Sequence, residues 1–482
     1  MVFSSLTFIC VFLPTVLLAY LLIPNMKIKN VLLIIASLVF YAFGEPVYVL
    51  LILVSSLINY FFGRLIARNY QQKELSVDAS YALNAKVAVT LAVVINLAFL
   101  GAFKYAGMFV QTADSVFGLS WNVPVVALPI GISFYTFQAI CYIVDTYRRE
   151  VVATKNFLKM LLYISFFPQL IAGPIIKYHD VDKQLDKRAV SVSDIAIGMR
   201  RVTVGLGKKV LIANTMAGVA DSVFSSPLTE VNIAVAWIGA LAYLMQIYFD
   251  FSGYSDMAIG LARMFGFTYR ENFNYPYISS SIQEFWRRWH ISLSTWFKEY
   301  LYFPLGGNRK GRARAGLNKI VVFFFCGLWH GASWTFVIWG LFHGLFLLLE
   351  EYLPIKKLPR AFGVIYTLLV VTVGFVLFRA DTIGQATYII VQMFTGFHFE
   401  AASVSLALQQ LTPLFIFTSI VAIFACLPLK ARVVQVIEKH SKGQAFLRVI
   451  NASSFIVSIA LLLLCLLSLS GGGYNPFIYF RF

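Results

Sequence analysis

The sequence predicts an all-α polytopic membrane protein. Hydrophobic residues make up 59% of its 482 residues and charged residues only 13%. Apolar runs recur along the whole chain, and they approach or exceed the roughly 20 residues that a helix needs to cross about 30 Å of hydrocarbon. The length alone would suggest about three soluble domains, but this composition excludes a soluble protein.

The apolar runs predict roughly ten or eleven transmembrane helices, with further re-entrant or interfacial helices. The clearest runs are residues 6–23, 31–54, 86–103, 232–249, 320–349, 361–378, 411–427 and 449–470. Weaker runs at 125–144, 157–176 and 196–220 contain proline, glycine or charged residues, so we expect some of these helices to be bent or broken. The first run lacks a basic leader, which favours a retained span over a cleavable signal peptide.

Basic residues exceed acidic ones, 39 against 22, for a formal net charge of +17. They occur in short clusters between apolar runs, so we attribute them to cytoplasmic loops and expect no nucleic-acid partner. The strongest cluster extends from Arg309 to Lys319 without an acidic residue, and we predict that it is cytoplasmic. Lys356, Lys357 and Arg360 fit the same side poorly. The five cysteines are isolated, so neither disulfides nor a metal site are expected.

Residues 250–319 form the longest weakly hydrophobic segment, which mixes aromatic residues with charges, glycines and prolines. Irregular backbone at membrane depth requires protein or a wet cavity around it, so we predict that this segment re-enters the membrane and lines a chamber. Amphipathic helices lying on the membrane surface are the alternative. Asp250 and Asp256 flank a glycine-containing break in this segment, where they would orient groups in the chamber or cap the break.

Two near-copies, GLWHG at 327–331 and GLFHG at 340–344, each place one histidine in apolar sequence. If one helix rises from Ile320, His330 lies about 15 Å along it, near the middle of a core roughly 30 Å thick. His343 would then lie about 20 Å further and roughly 140° around the helix, too far for one compact site. A polar side chain at mid-membrane is by default functional, so His330 is the stronger candidate. For His330 the alternative is packing alone; for His343 the favoured interpretation is a histidine at a helix contact or at the membrane interface.

A third histidine, His290, ends the motif FWRRWH. If this stretch is helical, Trp286 and His290 share a face. The neighbouring Arg287 and Arg288 suit an anionic group of a substrate. Retention of arginine and tryptophan at the cytoplasmic interface explains the motif equally well.

Taken together, the motifs of this chain resemble those of the membrane-bound O-acyltransferase family, in particular its bacterial branch for polysaccharide O-acetylation. The matching phrases are LPIGISFYTFQAICYIVDTYR at 128–148, FFPQLIAGPI at 166–175, YFDFSGYSDMAIGLARMFGF at 248–267, FWRRWHISLSTWFKEYLYFPLGGNR at 285–309, GLWHGASWTFVIWGLFHG at 327–344, FRA at 378–380 and NPFIYFRF at 475–482. The resemblance divides the chain into N-terminal helices at 1–127, a core at 128–350 and C-terminal helices at 351–482.

The resemblance implies helices around a central tunnel in a bacterial inner membrane. It implies that His330 is catalytic with His290 contributing, and Asp250, Asp256, Trp286 and Arg288 are candidate substrate-binding residues. A neutral imidazole can act as a general base near pH 7. The implied donor is acetyl-CoA or another acyl thioester, with no permanently bound cofactor. The implied acceptor is an extracytoplasmic polysaccharide such as alginate, reached through a partner acetyltransferase.

Other functions remain open at this point. Peptidoglycan O-acetylation and D-alanylation of teichoic acids belong to the same family. A transporter would also show many spans and a mid-membrane ionisable residue, but the chain lacks an internal repeat of domain length. A scaffold for polysaccharide export would leave both histidines dispensable. The chain contains no GxxxxGK[ST], HExxH, GxSxG or GxGxxG motif, so nucleotide hydrolysis and zinc-dependent hydrolysis are not indicated.

Overall fold

A computed structural model describes residues 1–75, 80–118, 127–438, 443–472, 475 and 478. Within these ranges the regular structure is helical and no strand occurs, which confirms the predicted fold class. The chain forms two compact units, Met1–Met199 with Ala258–Arg270, and Arg200–Met257 with Glu271–Phe482. The three-part division by motifs stays a prediction. Of the motif NPFIYFRF, only Asn475 and Ile478 lie within the described residues.

The first unit is built from short and long helices. Its helices are α1 (Leu13–Leu22), α2 (Met26–Ala42), α3 (Val49–Leu75), α4 (Ser80–Lys104), α5 (Ala106–Phe117), α6 (Ile132–Tyr147), α7 (Phe157–Ser165), α8 (Phe167–Leu170) and α9 (Tyr178–Asp186). Buried Asn59 on α3 and Asn96 on α4 exchange two side-chain hydrogen bonds, of 3.0 and 2.8 Å. Such amide pairs join helices in a membrane, where apolar contact alone provides no preference over lipid.

The second unit carries every candidate site residue. The helices that contribute to it are α10 (Val192–Gly207), α11 (Asn214–Ser225), α12 (Ile233–Met264), α13 (Ile282–Arg288), α14 (Ile291–Phe297), α15 (Arg312–His330), α16 (Trp334–Tyr352), α17 (Arg360–Arg379), α18 (Ile383–Thr395), α19 (Ala401–Gln410), α20 (Pro413–Ala425), α21 (Leu429–Glu438) and α22 (Gly443–Ser470). A π-helical turn, Lys208–Ala213, continues α10.

Among the described residues, six helices are long and apolar enough to cross a membrane, or seven if α19 and α20, bent by 61°, form one span. The six are Val49–Gln71, Asn84–Lys104, Ile233–Met264, Trp334–Tyr352, Arg360–Arg379 and Ala452–Ser470. This count is lower than the predicted ten or eleven because several apolar runs do not form one continuous helix. The run 31–54 is divided between α2 and α3, and the run 320–349 between α15 and α16.

The division of the run 320–349 contradicts the assumption of a single helix through both histidines. The helix α15 ends at His330, Gly331 is extended, and the side chain of Ser333 caps α16 by accepting from the Thr335 amide. The two helices pack as an antiparallel hairpin. A Cβ on Gly327 would clash with the carbonyl oxygen of Phe336, and one on Gly340 with that of Phe323. The first glycines of the two near-copies therefore allow the close approach of the two backbones.

The hairpin also corrects the interpretation of the basic residues. Because α16 returns antiparallel to α15, the end of α16 lies beside the start of α15, where Lys319 forms an ion pair with Glu351. The chain then passes through Ile355–Lys357 and begins α17 at Arg360. Lys356, Lys357 and Arg360 therefore lie at the same end of the hairpin as Arg309–Lys319, as the positive-inside rule requires.

The expected break between Asp250 and Asp256 is absent, since α12 continues through Gly253 as regular helix. A Cβ on Gly253 would clash with the carbonyl oxygen of Gly205, so this glycine serves close packing of α10 on α12. The rest of the segment 250–319 does break repeatedly, into the 3-10 turn Pro276–Ile278, α13, α14 and the π-helical turn Lys298–Tyr302. Whether these pieces re-enter the membrane stays a prediction.

Candidate active site

His330 occupies the last position of α15, about 27 Å along the helix axis from Arg312. Its side chain is buried among aromatic rings, with centroid distances of 4.9 Å to Trp329, 5.0 Å to Trp339 and 5.2 Å to Phe378. The stretch from Ile320 to His330 is continuous helix, so the rise of about 15 Å expected over it holds, while the depth of His330 in the membrane stays a prediction. What the structure shows is an imidazole at the turn of a helical hairpin, enclosed by aromatic walls.

A small cavity of about 10 Å³ lies against His330. A space of this size holds about one water molecule. Its other walls are Ile247, Phe251, Trp289, Trp339, Phe375, Phe378 and Ile478. Because the lining is almost entirely apolar, a reacting group placed here would be shielded from bulk water. An acyl group must displace one of these side chains to reach the imidazole.

His290 is completely buried between α13 and α14. Its φ of +42° lies in the left-handed region, which is uncommon for a residue other than glycine. Because of this left-handed backbone, His290 does not continue α13, and its side chain does not follow the faces of that helix. The expectation that Trp286 and His290 share one helix face is therefore wrong, because α13 ends at Arg288.

The hydrogen bonds around Asn272 fix the tautomer of His290. The backbone amide of Ser292 can only donate, and it lies 3.1 Å from Oδ1 of Asn272; that atom is therefore an acceptor. Nδ1 of His290, 3.2 Å from the same oxygen, must carry the proton. His290 lies outside the membrane-spanning helices, and burial lowers its pKa to about 3, so the ring is neutral. Nε2 keeps its lone pair and has no hydrogen-bond partner among the described residues.

The two histidines lie close together but do not line the same space. Trp329 contacts both rings, with centroids 5.9 Å from His290 and 4.9 Å from His330. Phe251 packs edge-on against His290 at 4.6 Å and also forms a wall of the small cavity. The structure thus brings the predicted pair into one aromatic cluster, with His290 behind the wall of the cavity beside His330.

His343 is much closer to His330 than a single helix would allow, because the hairpin folds it back. Trp339 contacts both imidazoles, each at 5.0 Å. His343 is fully buried, its Nδ1 accepts a hydrogen bond of 3.4 Å from Nε1 of Trp286, and its Nε2 packs on Gly374. This agrees with the packing role expected for His343, although its burial excludes the interfacial position considered from the sequence. Trp286 is correspondingly a partner of His343.

Asp250 forms a buried ion pair with Lys209, 3.0 Å between Oδ1 and Nζ, and both side chains are at most 3% exposed. Its other carboxylate oxygen, Oδ2, accepts a 3.0 Å hydrogen bond from the backbone amide of Ile478. Through this bond Asp250 holds a residue that forms a wall of the cavity beside His330. Both carboxylate oxygens of Asp250 thus have partners within the protein, which favours a positioning role, and its substrate-binding role stays a prediction.

Two other candidate residues have strong local partners. Asp256 binds Arg201 at 2.9 Å and Lys208 at 2.7 Å. Arg288 bonds Glu284 at 2.9 Å and donates to the carbonyl of Asn274 at 3.1 Å. These pairings favour structural roles for both residues. Their substrate-binding roles stay predictions.

A larger cavity of about 330 Å³ lies between α13, α14 and the α15–α16 hairpin. Three of its lining residues, Arg287, Lys298 and Lys319, are basic. Its walls also include Trp286 and Cys326, and Cys326 lies one helical turn, about 6 Å, before His330 on α15. The cavity thus combines polar and basic side chains with apolar ones, and its Trp286 contacts Trp339 of the aromatic cluster at a centroid distance of 5.8 Å.

Comparison with known proteins identifies the family of this chain. The family model described as MBOAT, the membrane-bound O-acyltransferase family, matches residues 144–354, which include both candidate histidines. The chain is 40% identical over its entire length to the whole of a protein named probable alginate O-acetylase from Pseudomonas putida. It belongs to the membrane-bound O-acyltransferase family. The protein is therefore a multi-pass membrane protein and an O-acyltransferase.

More distant members of the family act on other envelope polymers by name. A peptidoglycan O-acetyltransferase from Helicobacter pylori is 35% identical over 80% of this chain and 78% of its own length. A teichoic acid D-alanyltransferase from Bacillus subtilis is 27% identical over 52% of this chain and 68% of its own length. The similarity thus falls as the named reaction departs from alginate acetylation.

Sequence reasoning missed several neighbours of His330. Trp339 follows His330 by nine residues and meets it through the hairpin, while Phe378 and Ile478 are distant in the chain and meet the imidazole only through folding. Asn272, which orients His290, was also missed. The motifs quoted for the resemblance contain Trp339, Phe378 and Ile478, and their presence in those motifs was the one indication that they could belong to the site.

Proposed function

We propose that this O-acyltransferase moves an acetyl group from a cytoplasmic thioester donor to a hydroxyl group for O-acetylation of alginate, in a bacterial inner membrane. The observation that carries the proposal is His330 of the GLWHG motif, enclosed by aromatic rings beside an apolar cavity. The similarity to alginate O-acetylases over the whole chain supports the choice of polymer. A partner acetyltransferase outside the membrane is the proposed route to the polysaccharide.

In the proposed step, a ring nitrogen of His330 accepts the proton of an acceptor hydroxyl. The hydroxyl oxygen attacks the carbonyl carbon of the acetyl thioester, the C–O bond forms and the C–S bond breaks. The leaving thiolate takes the proton from the imidazolium, so the histidine returns to its neutral form. General-base catalysis of this kind contributes about 10²- to 10⁴-fold. The apolar walls limit hydrolysis of the thioester by excluding water.

The basic cavity is the proposed site for the donor. Arginine and lysine bind phosphate groups, which both coenzyme A and the prosthetic arm of an acyl carrier protein contain. Arg287 and Lys298 supply such groups, whereas Lys319 is paired with Glu351 at the end of the hairpin that the positive-inside rule places in the cytoplasm. An acyl chain passing Trp286 and Cys326 would then approach His330.

Peptidoglycan O-acetylation is the second candidate, supported by the 35% identity to the enzyme from Helicobacter pylori. It uses the same acetyl chemistry at a different hydroxyl. The geometry around His330 is compatible with either acceptor, so the acceptor must be tested directly.

The first experiment offers labelled donors to the protein in lipid vesicles. We expect acetyl label from acetyl-CoA to appear as base-labile ester on alginate oligomers when the partner transferase is present. Vesicles given muramyl oligomers instead should remain unlabelled. Label accepted only from an acetylated carrier protein would change the donor, and label on muramyl oligomers alone would change the acceptor. Absence of any acetyl transfer would contradict the proposed function.

A second prediction concerns the size of the acyl group. Replacing Ile478 by alanine enlarges the cavity beside His330, and a methylene in such a pocket changes selectivity by about 10- to 200-fold. We therefore expect the ratio of butyryl to acetyl transfer to rise by about 10-fold or more in Ile478→Ala. Competition between the two labelled thioesters measures this ratio.

The matched control for this prediction is Ile383→Ala. Ile383 is 41% exposed at the start of α18 and is not among the residues that line the cavity. An unchanged ratio in Ile478→Ala, or an equal change in the control, would show that Ile478 does not limit acyl size.

A further inference from the structure

An apolar groove of about 550 Å³ lies along α17 in the second unit, and residues of α12 and α20 also line it. Its wall on α17 extends from Arg360 to Thr372, about 18 Å at 1.5 Å per residue. The hydrocarbon of one leaflet is half of a core roughly 30 Å thick. The groove is therefore long enough for most of one lipid acyl chain.

Two arginines distinguish this groove from an ordinary lipid-facing surface. Arg360 on α17 and Arg432 on α21 both line it, among walls that are otherwise mostly apolar. Neither guanidinium has an acidic partner among the residues that the structure describes. Two unneutralised cations beside an apolar groove complement a ligand that combines an anionic group with hydrocarbon.

The backbone adds a second anion-binding element at the same place. Arg360 is the first residue of α17, and the preceding Pro359 provides no side-chain cap. The first amides of the helix thus lack a capping acceptor from the N-cap side chain, and helix N-termini with free amides attract phosphate. The hairpin places this end of α17 with the basic cluster Arg309–Lys319, hence in the cytoplasmic leaflet.

We propose that this groove binds an anionic phospholipid of the cytoplasmic leaflet. The phosphate lies between Arg360, Arg432 and the N-terminus of α17, and one acyl chain lies along α17 toward Thr372. Basic pockets between transmembrane helices on the cytoplasmic side bind anionic headgroups in this way. The lipid belongs to the fold and not to the acyl-transfer reaction, so the proposal is independent of the proposed function.

Native mass spectrometry of protein released from lipid nanodiscs tests the proposal. The probes are nanodiscs that contain equal amounts of phosphatidylglycerol and phosphatidylcholine with matched chains. We expect phosphatidylglycerol to remain bound to the wild-type protein at least 10-fold more often than phosphatidylcholine. The double variant Arg360→Gln/Arg432→Gln should lose this preference. Equal retention of both lipids by the wild type would overturn the proposal.

The control is Arg309→Gln/Arg312→Gln, which removes the same charge from the basic loop and should keep the preference. Loss of the preference in both double variants would mean that overall charge, and not the groove, attracts the lipid, and would also overturn it. If the groove variant does not fold, Leu369→Trp provides a second test, because Leu369 lines the groove and a larger ring there fills it. Leu369→Trp should lower phosphatidylglycerol retention with both arginines present; unchanged retention would contradict the proposal.

Discussion

Acetyl transfer by the variant His330→Ala is expected to fall by about 10²- to 10⁴-fold, the usual contribution of a general base. The imidazole is the group that accepts the proton in the proposed step, and methyl cannot replace it. The rate is measured with labelled acetyl thioester in vesicles that contain equal amounts of folded protein. In cells, the O-acetyl content of the polysaccharide should fall while export of the polymer continues.

The matched control is His343→Gln, on the other helix of the same hairpin. Both imidazoles contact Trp339 at 5.0 Å, but His343 packs against Trp286 and Gly374. We expect its rate to stay within about 10-fold of the wild type, since a packing change alters the site only indirectly. Full acetylation by His330→Ala would exclude catalysis by this histidine. Loss of export together with acetylation would favour the transporter alternative.

The variant Asp250→Ala is expected to lower the free energy of unfolding by about 3–5 kcal/mol, because it leaves the buried charge of Lys209 without its carboxylate. It also removes the acceptor of the Ile478 amide. The unfolding midpoint in detergent, followed by tryptophan fluorescence, measures the loss. Breaking a buried pair costs more than removing it completely.

The companion variant Lys209→Met/Asp250→Leu tests that interpretation. Replacing both charges by apolar side chains of similar size should recover most of the lost stability. Recovery of stability without recovery of acetyl transfer would show that Asp250 affects the reaction, in the chemistry or by holding Ile478, and not only the stability of the fold. A single variant as stable as the wild type would contradict the buried ion pair itself.

Much of the site was predictable because chemistry and local sequence are linked. Placing a histidine in an apolar run costs free energy, so such a histidine by default has a function. This argument selected His330 over the histidines in exposed loops. The motif FWRRWH likewise indicated His290. The roles of Asp250 and Arg288 were less predictable, because a charged residue in the sequence carries no sign of the partner that neutralises it.

Composition and hydrophobic runs by themselves determined that this protein is helical and lies in a membrane. The reason is that each apolar segment enters the lipid according to its own length and hydrophobicity, without contacts to other segments. Only the tertiary structure decided where the helices stop. The run 320–349 is mostly apolar, and the cap residue Ser333 is a weak local mark of the turn after His330. The two helices pack closely because Gly327 and Gly340 let their backbones approach within one hairpin. Phe378 and Ile478, far along the chain, join Trp339 around one imidazole through contacts between separate segments, which no local stretch of sequence specifies.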